Sequence, residues 1–150
     1  MPEEEQAWFP KEEVLSYEEM LRVLRVGAGL GIRKVRVTGG EPLTRPGVAD
    51  FCAAVAAVPG IEDIGVSTNG TLLSKAEGGS TLAEKLVKAG VRSVNISLDS
   101  LDPAAYQRTT GRDLLPKVLE GIDAALAAPL YIRDKVAKTV AERLNEGGRA

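Results

Sequence analysis

Three short clusters of small polar residues recur along this sequence: Thr38-Gly39-Gly40-Glu41-Pro42, Ser67-Thr68-Asn69-Gly70 and Ser97-Leu98-Asp99-Ser100. They offer hydroxyls, amides, carboxylates and bare backbone. Paired glycines let a chain approach a ligand closely with its N–H and C=O groups uncovered, and Pro42 fixes the exit from the turn. A tight strand-to-helix turn uses the same residues with no ligand, so the first cluster has meaning only beside the other two. Together they suit recognition of a polar, nucleotide-sized molecule better than proton transfer. The sequence has no histidine, the commonest general base and metal ligand.

Cys52 is the only cysteine. One thiol makes no internal disulfide, no Cys-rich zinc site and no chelating iron-sulfur motif. Its surroundings, Phe51-Cys52-Ala53-Ala54-Val55, are an apolar helical stretch in which a small thiol is expected to be core packing. No catalytic residue and no metal ligand is assigned from the sequence.

The elements that must position the clusters follow from periodicity and caps. Ser16-Tyr17-Glu18-Glu19 has the form of a capping box and opens a helix over about 17–28. Lys34-Val35-Arg36-Val37-Thr38, Ile64-Gly65-Val66-Ser67 and Val94-Asn95-Ile96-Ser97-Leu98 read as strands. Lys34, Ile64 and Val94 fall thirty positions apart, the length of one βα unit. Helices are expected over about 46–58, 81–89, 103–109 and 114–127, with a second capping box at Thr81-Leu82-Ala83-Glu84 and Asp102-Pro103 as a cap and first turn. Pro129 ends this run, and 132–146 is charged and helical by propensity.

Strand and helix in alternation predict a parallel sheet, as in doubly wound folds or β/α barrels. Parallel strands covered on both faces read as continuous apolar runs, whereas these three alternate. Lys34, Arg36 and Thr38 share one face of the first strand, Gly65 and Ser67 one face of the second, and Asn95, Ser97 and Asp99 one face of the third. That face is expected to line a cavity in a wide, unclosed barrel; a sheet simply open to solvent would give the same pattern. Ligands in such folds bind at the C-terminal strand ends, where the three clusters lie.

Composition narrows the classes. The chain has 150 residues, 44% hydrophobic and 27% charged, as one soluble globular domain would. Its formal net charge of −2, with interspersed signs, argues against a broad nucleic-acid footprint. No apolar run approaches the roughly 18 residues of a membrane span, and Met1-Pro2-Glu3-Glu4-Glu5 is unlike a basic signal peptide, so the chain as given is expected to be cytoplasmic, or mitochondrial if a longer product carries a targeting peptide. An ordinary dinucleotide-binding fold is disfavoured because the first strand-to-helix turn lacks Gly-x-Gly-x-x-Gly.

Taken together, Met1-Pro2-Glu3-Glu4, Lys34 to Leu43, Ser67-Thr68-Asn69-Gly70 and Asn95 to Asp102 resemble the radical SAM GTP 3′,8-cyclase family of molybdenum cofactor biosynthesis. The resemblance covers residues 1–128 and implies a partial (β/α) barrel of about three parallel strands with flanking helices, incomplete and unclosed, followed by a divergent helical tail over 129–150. It implies S-adenosylmethionine as a cofactor beside a 4Fe-4S cluster, and GTP as the substrate, converted to 3′,8-cyclo-7,8-dihydro-GTP. Carried over by position, Gly39, Gly40, Glu41 and Ser97 are expected to contact S-adenosylmethionine and Arg36 and Ser67 to contact GTP, with Lys34 adding charge to the GTP site from the same strand face. A guanidinium on the cavity face suits phosphate through paired hydrogen bonds.

In that family a Cys-x3-Cys-x2-Cys loop precedes the Met-Pro-Glu-Glu run and supplies the cluster ligands, whereas this sequence starts at that Met. The expectation is a chain that runs no radical chemistry alone. The alternative is a non-catalytic module that binds nucleotide or S-adenosylmethionine, or meets a partner through an exposed sheet edge or the C-terminal helix, where Val136, Val140 and Leu144 recur every four residues.

Overall fold

The computed structural model describes residues 14–132. Ser16 caps α1 (Tyr17–Gly29): its hydroxyl accepts from the Glu19 N–H at 3.2 Å, and the Glu19 carboxylate accepts from the Ser16 N–H at 2.7 Å. Both halves of the expected capping box are therefore made, and two of the helix's orphan donors are satisfied. The chain then forms β1 (Lys34–Val37), a 3-10 turn at Pro42–Thr44, α2 (Val48–Ala56) and β2 (Asp63–Thr68).

A hairpin of β3 (Ala76–Glu77) and β4 (Ser80–Thr81) follows, then α3 (Leu82–Lys88), β5 (Ser93–Ile96), α4 (Pro103–Thr110), α5 (Leu115–Ala127) and β6 (Tyr131–Ile132). The second capping box, Thr81 with Glu84, opens α3, and Asp102 caps α4 by accepting from the Ala105 N–H at 2.9 Å. Gly78 and Gly79, at φ 63° and 80°, make the two-residue turn of the hairpin, a backbone shape that favours glycine at both places.

One sheet carries the molecule, in the order β1-β2-β5-β6, with every pairing parallel. The three strands expected from the sequence are there. The fourth, β6, pairs Tyr131 with Ser93 and lies at the head of the stretch read as a helical tail; residues 133–150 of that stretch lie outside the described residues. Among the described residues the sheet does not close, and β1 and β6 are its edges.

The apolar face of the sheet holds the core. Val35 and Val37 of β1, Ile64 and Val66 of β2 and Val94 of β5 pack against Phe51, Cys52 and Val55 of α2 and Leu86 of α3. Val66, Val94, Val55 and Leu86 are fully covered, each stabilising the fold by about 1.5–3 kcal/mol through removal from water. Helices α1, α2, α3 and α5 contact one another in series, so they form one layer. A doubly wound fold would distribute its crossover helices over both faces. A single helical layer on the apolar side is a segment of a β/α barrel wall instead.

Candidate functional site

Alternation along the strands places the other face. Arg36 of β1, Gly65 of β2 and Ser93 of β5 stand opposite one another in register, as do Ser67 and Asn95 one pleat further on. A cavity of about 350 Å³ lies on this face, lined by Arg36, Asp63, Arg92, Ser93, Asn95 and Tyr131. A polar hollow lies on the face expected from the sequence, but its lining includes only Arg36 of the seven expected contact residues. The lining reaches toward the N-terminal strand ends, whereas Gly39, Gly40, Ser67 and Ser97 stand at or beyond the other end.

The Arg36 guanidinium lies across Gly65. A β-carbon at Gly65 would sit 2.8 Å from one terminal nitrogen of Arg36 and 2.9 Å from Cζ and the other. The missing side chain makes room for a flat cation over β2. Neither Arg36 nor Lys34, both exposed, makes a side-chain hydrogen bond or ion pair with any of the described residues. The Asn95 Oδ1 is buried without a hydrogen-bond partner among them, and a buried acceptor left unpaired carries a desolvation cost of about 1–3 kcal/mol. Among the described residues this face thus carries a cation without a partner and, closed off from solvent beside the hollow, an unmet acceptor.

At the strand tips the construction is different. Glu41 reaches from the turn after β1 to the end of β2: Oε1 accepts from the Thr68 hydroxyl at 2.7 Å and the Leu43 N–H at 3.0 Å, and Oε2 accepts from the Asn69 N–H at 2.7 Å. The Thr68 oxygen in turn accepts from the Gly70 N–H at 3.1 Å, which satisfies the one buried polar side chain among the described residues. Asn69 closes its own loop by accepting from Thr71 N–H and hydroxyl. The sequence placed Glu41 beside a cofactor; its carboxylate is engaged by two loops. No local pattern shows this, because the partners are 27 and 28 positions away.

Beneath the same loop, α5 comes so near that a β-carbon at Gly121 would overlap the carbonyl oxygen of Gly70. Gly70 itself has φ 80° and faces Ile96 of β5. Gly39 and Gly40 are exposed, and a β-carbon on either would meet nothing within 4 Å. The space beside their backbone is therefore open among the described residues. Ser97 is exposed just past β5, joined to β2 by its N–H donating to the Thr68 carbonyl at 2.9 Å.

An iron-sulfur cluster does not fit the same residues. Cys52 is fully covered in α2 on the opposite face, where burial pushes its thiol up to about 11. Among the described residues no group of three or more carboxylates, thiols or imidazoles is placed to hold a metal ion, and no helix is long and apolar enough to cross a membrane.

Comparison with known proteins agrees with this geometry. The model of the Radical SAM superfamily matches residues 3–132. Curated proteins named GTP 3',8-cyclase are similar to the chain: that of Pseudomonas savastanoi is 48% identical over 83% of this chain and 36% of its own length. The one from Thermodesulfovibrio yellowstonii is 47% identical over 81% and 36%, and the one from Gloeobacter violaceus 49% identical over 79% and 35%. The chain spans about a third of the length of these relatives. With its one-layered wall of parallel strands, its Gly-Gly-Glu-Pro turn at a strand tip and a family match over most of its length, the chain belongs to the radical SAM superfamily.

Proposed function

We propose that this chain is the part of a GTP 3′,8-cyclase that presents S-adenosylmethionine and GTP to one another. The observation that carries this is the Arg36 guanidinium, laid flat over Gly65 beside a polar hollow with no partner among the described residues. A planar, weakly hydrated cation in that setting binds a phosphate by two parallel hydrogen bonds. Lys34 adds a second charge two residues back on the same face, and the Ser67 hydroxyl donates or accepts one pleat further on.

In this reading the open backbone of Gly39 and Gly40, in the turn that Glu41 fastens, takes the amino-acid end of S-adenosylmethionine, and Ser97 meets the same cofactor from across β2. The cofactor would lie at the strand tips and the nucleotide phosphates deeper, toward Arg36. The chemistry such a pair supplies in the cyclase family is hydrogen abstraction from the ribose of GTP, which starts cyclisation toward the molybdenum cofactor precursor. No step of radical generation is assigned to this chain, since its single thiol is in the core.

A second reading, a non-catalytic module that binds nucleotide or S-adenosylmethionine, is favoured by that buried thiol. Titration calorimetry with each ligand and anaerobic reconstitution with iron and sulfide separate the two. Binding of both ligands together supports the presenting part of the cyclase and binding of one alone supports the module, while close to four irons per chain with cleavage of S-adenosylmethionine overturns both, since neither assigns radical generation to this chain. Binding of neither ligand removes both readings. Self-association through the edges that β1 and β6 leave unpaired among the described residues belongs to the same proposal and is read by sedimentation velocity.

A further inference from the structure

The geometry points to Glu41 as a positioning residue: its carboxylate joins the turn after β1 to the loop after β2, so that the two ligand-facing strand tips behave as one body. This deepens the reading of the strand tips as the cofactor and nucleotide site, and rests on it only for the ligand-binding arm of the test below.

Both carboxylate oxygens are engaged. Oε1 is shared between the Thr68 hydroxyl and the Leu43 N–H, and Oε2 takes the Asn69 N–H, all at 2.7–3.0 Å. Leu43 and Thr68 are buried, so the donors they bring have little access to water. Hydrogen bonds to a carboxylate are shorter and stronger than neutral ones, and two of these three are at 2.7 Å. A contact with a ligand would have to share oxygens already used three times.

Each bond fixes a different piece. The Leu43 N–H holds the start of the 3-10 turn, and the hydroxyl of Thr44 completes it by donating to the Glu41 carbonyl at 2.7 Å. The Asn69 N–H holds the residue two positions after Ser67. Through Thr68, whose oxygen also receives the Gly70 N–H, the carboxylate reaches the glycine that α5 touches. By contrast the loop after β5 is joined to β2 by the Ser97 N–H alone, at the Thr68 carbonyl. Gly39 and Gly40, the residues nearest the proposed cofactor, have open space beside them, so their placement depends on what anchors the turn.

The test follows amide hydrogen exchange of the full chain by NMR, with no ligand present, in Glu41→Ala, Glu41→Gln and Thr68→Val. In Glu41→Ala the amides of Leu43 and Asn69 are expected to exchange about tenfold to a hundredfold faster, the loss of one hydrogen bond to a charged group, while Val66 and Val94 in the strand ladder keep their protection. Thr68→Val keeps the shape, removes the donor to Glu41 together with the acceptor of the Gly70 N–H, and is expected to loosen the Asn69 amide in the same direction. At Leu43 and Asn69 the double variant is expected to be no worse than the Ala variant, because there both break one connection. Glu41→Gln, which keeps one acceptor oxygen, is expected to fall between wild type and Ala and serves in its place if Ala does not fold.

Titrations with S-adenosylmethionine and GTP add the second arm: both affinities are expected to fall together in Glu41→Ala and to recover in part in Glu41→Gln. Unchanged exchange at Leu43 and Asn69 overturns the inference, as does loss of S-adenosylmethionine affinity alone with those amides still protected. Equal loss of protection at Val66 and Val94 in every variant also overturns it. If the wild-type chain binds neither ligand, the proposed function fails while the exchange results still decide the role of Glu41.

Discussion

Val66 and Gly65 are adjacent in β2, yet one is sealed under α2 and α3 while the other lies beneath a guanidinium on the far side of the sheet. The same division holds in β5, where Val94 has no exposed surface and Asn95 keeps a buried oxygen with no partner among the described residues. One face is closed by apolar packing. The other leaves a cation and an acceptor without partners among the described residues. The two-residue period of a strand lets a packed core and an open polar surface occupy alternate positions of the same few residues, so substitutions on the two faces are expected to have separable effects.

The largest effect is expected on the covered face. Leu86→Ala, which deletes a fully buried side chain, is expected to cost about 2–5 kcal/mol by urea unfolding. A loss under 1 kcal/mol would mean the helical layer is not a tightly packed core. Next comes the thiol on the same side. The folded Cys52 holds its proton from the ordinary value of 9.0 up to about 11, so at pH 8 it presents about a hundredfold less thiolate than the unfolded chain. Labelling by a disulfide reagent is expected to be slow in buffer and fast in urea. The sign for stability follows: the unfolded chain releases this proton first, so the contribution is intact below pH 9 and lost as pH rises through about 11.

On the polar face the order reverses. Arg36→Ala is expected to leave the unfolding free energy within about 0.5 kcal/mol, since the side chain is exposed, while weakening GTP binding about tenfold or more in a titration. An unfolding loss larger than the binding loss would break the division between the faces. The smallest effect is expected from Gly65→Ala. The atoms nearest the added methyl all belong to the movable end of Arg36, so stability is expected to change little and GTP affinity to fall a fewfold as the cation is tilted out of place.

Much of this was legible before any coordinates. The three main strands and the split between their faces follow from strict alternation, and both capping boxes form as written, because these signals are local. What escaped was short or distant. The β3–β4 hairpin uses strands of two residues each, too brief for any period, though Glu77-Gly78-Gly79-Ser80 carried the turn chemistry. The helix expected from residue 46 starts at Val48, after the left-handed Gly47; just before it, the Arg45 guanidinium stacks 4.3 Å over Tyr17, whose ring lies 4.4 Å from Phe51. That arrangement joins three elements and is invisible to a local window. So is the part played by Glu41, which the family resemblance set beside a cofactor and whose carboxylate bonds two loops among the described residues.

Helix α5 touches the tip of β2 through bare backbone on both sides, Gly121 against the carbonyl of Gly70. A methyl group at 121 would act as a wedge driven from the outer wall of the molecule into the loop that carries Asn69. An ordinary gain in helix propensity there would be converted into a displaced loop at the tip of β2, so the strand tips can be shifted from the helical layer without altering any residue of the strands themselves.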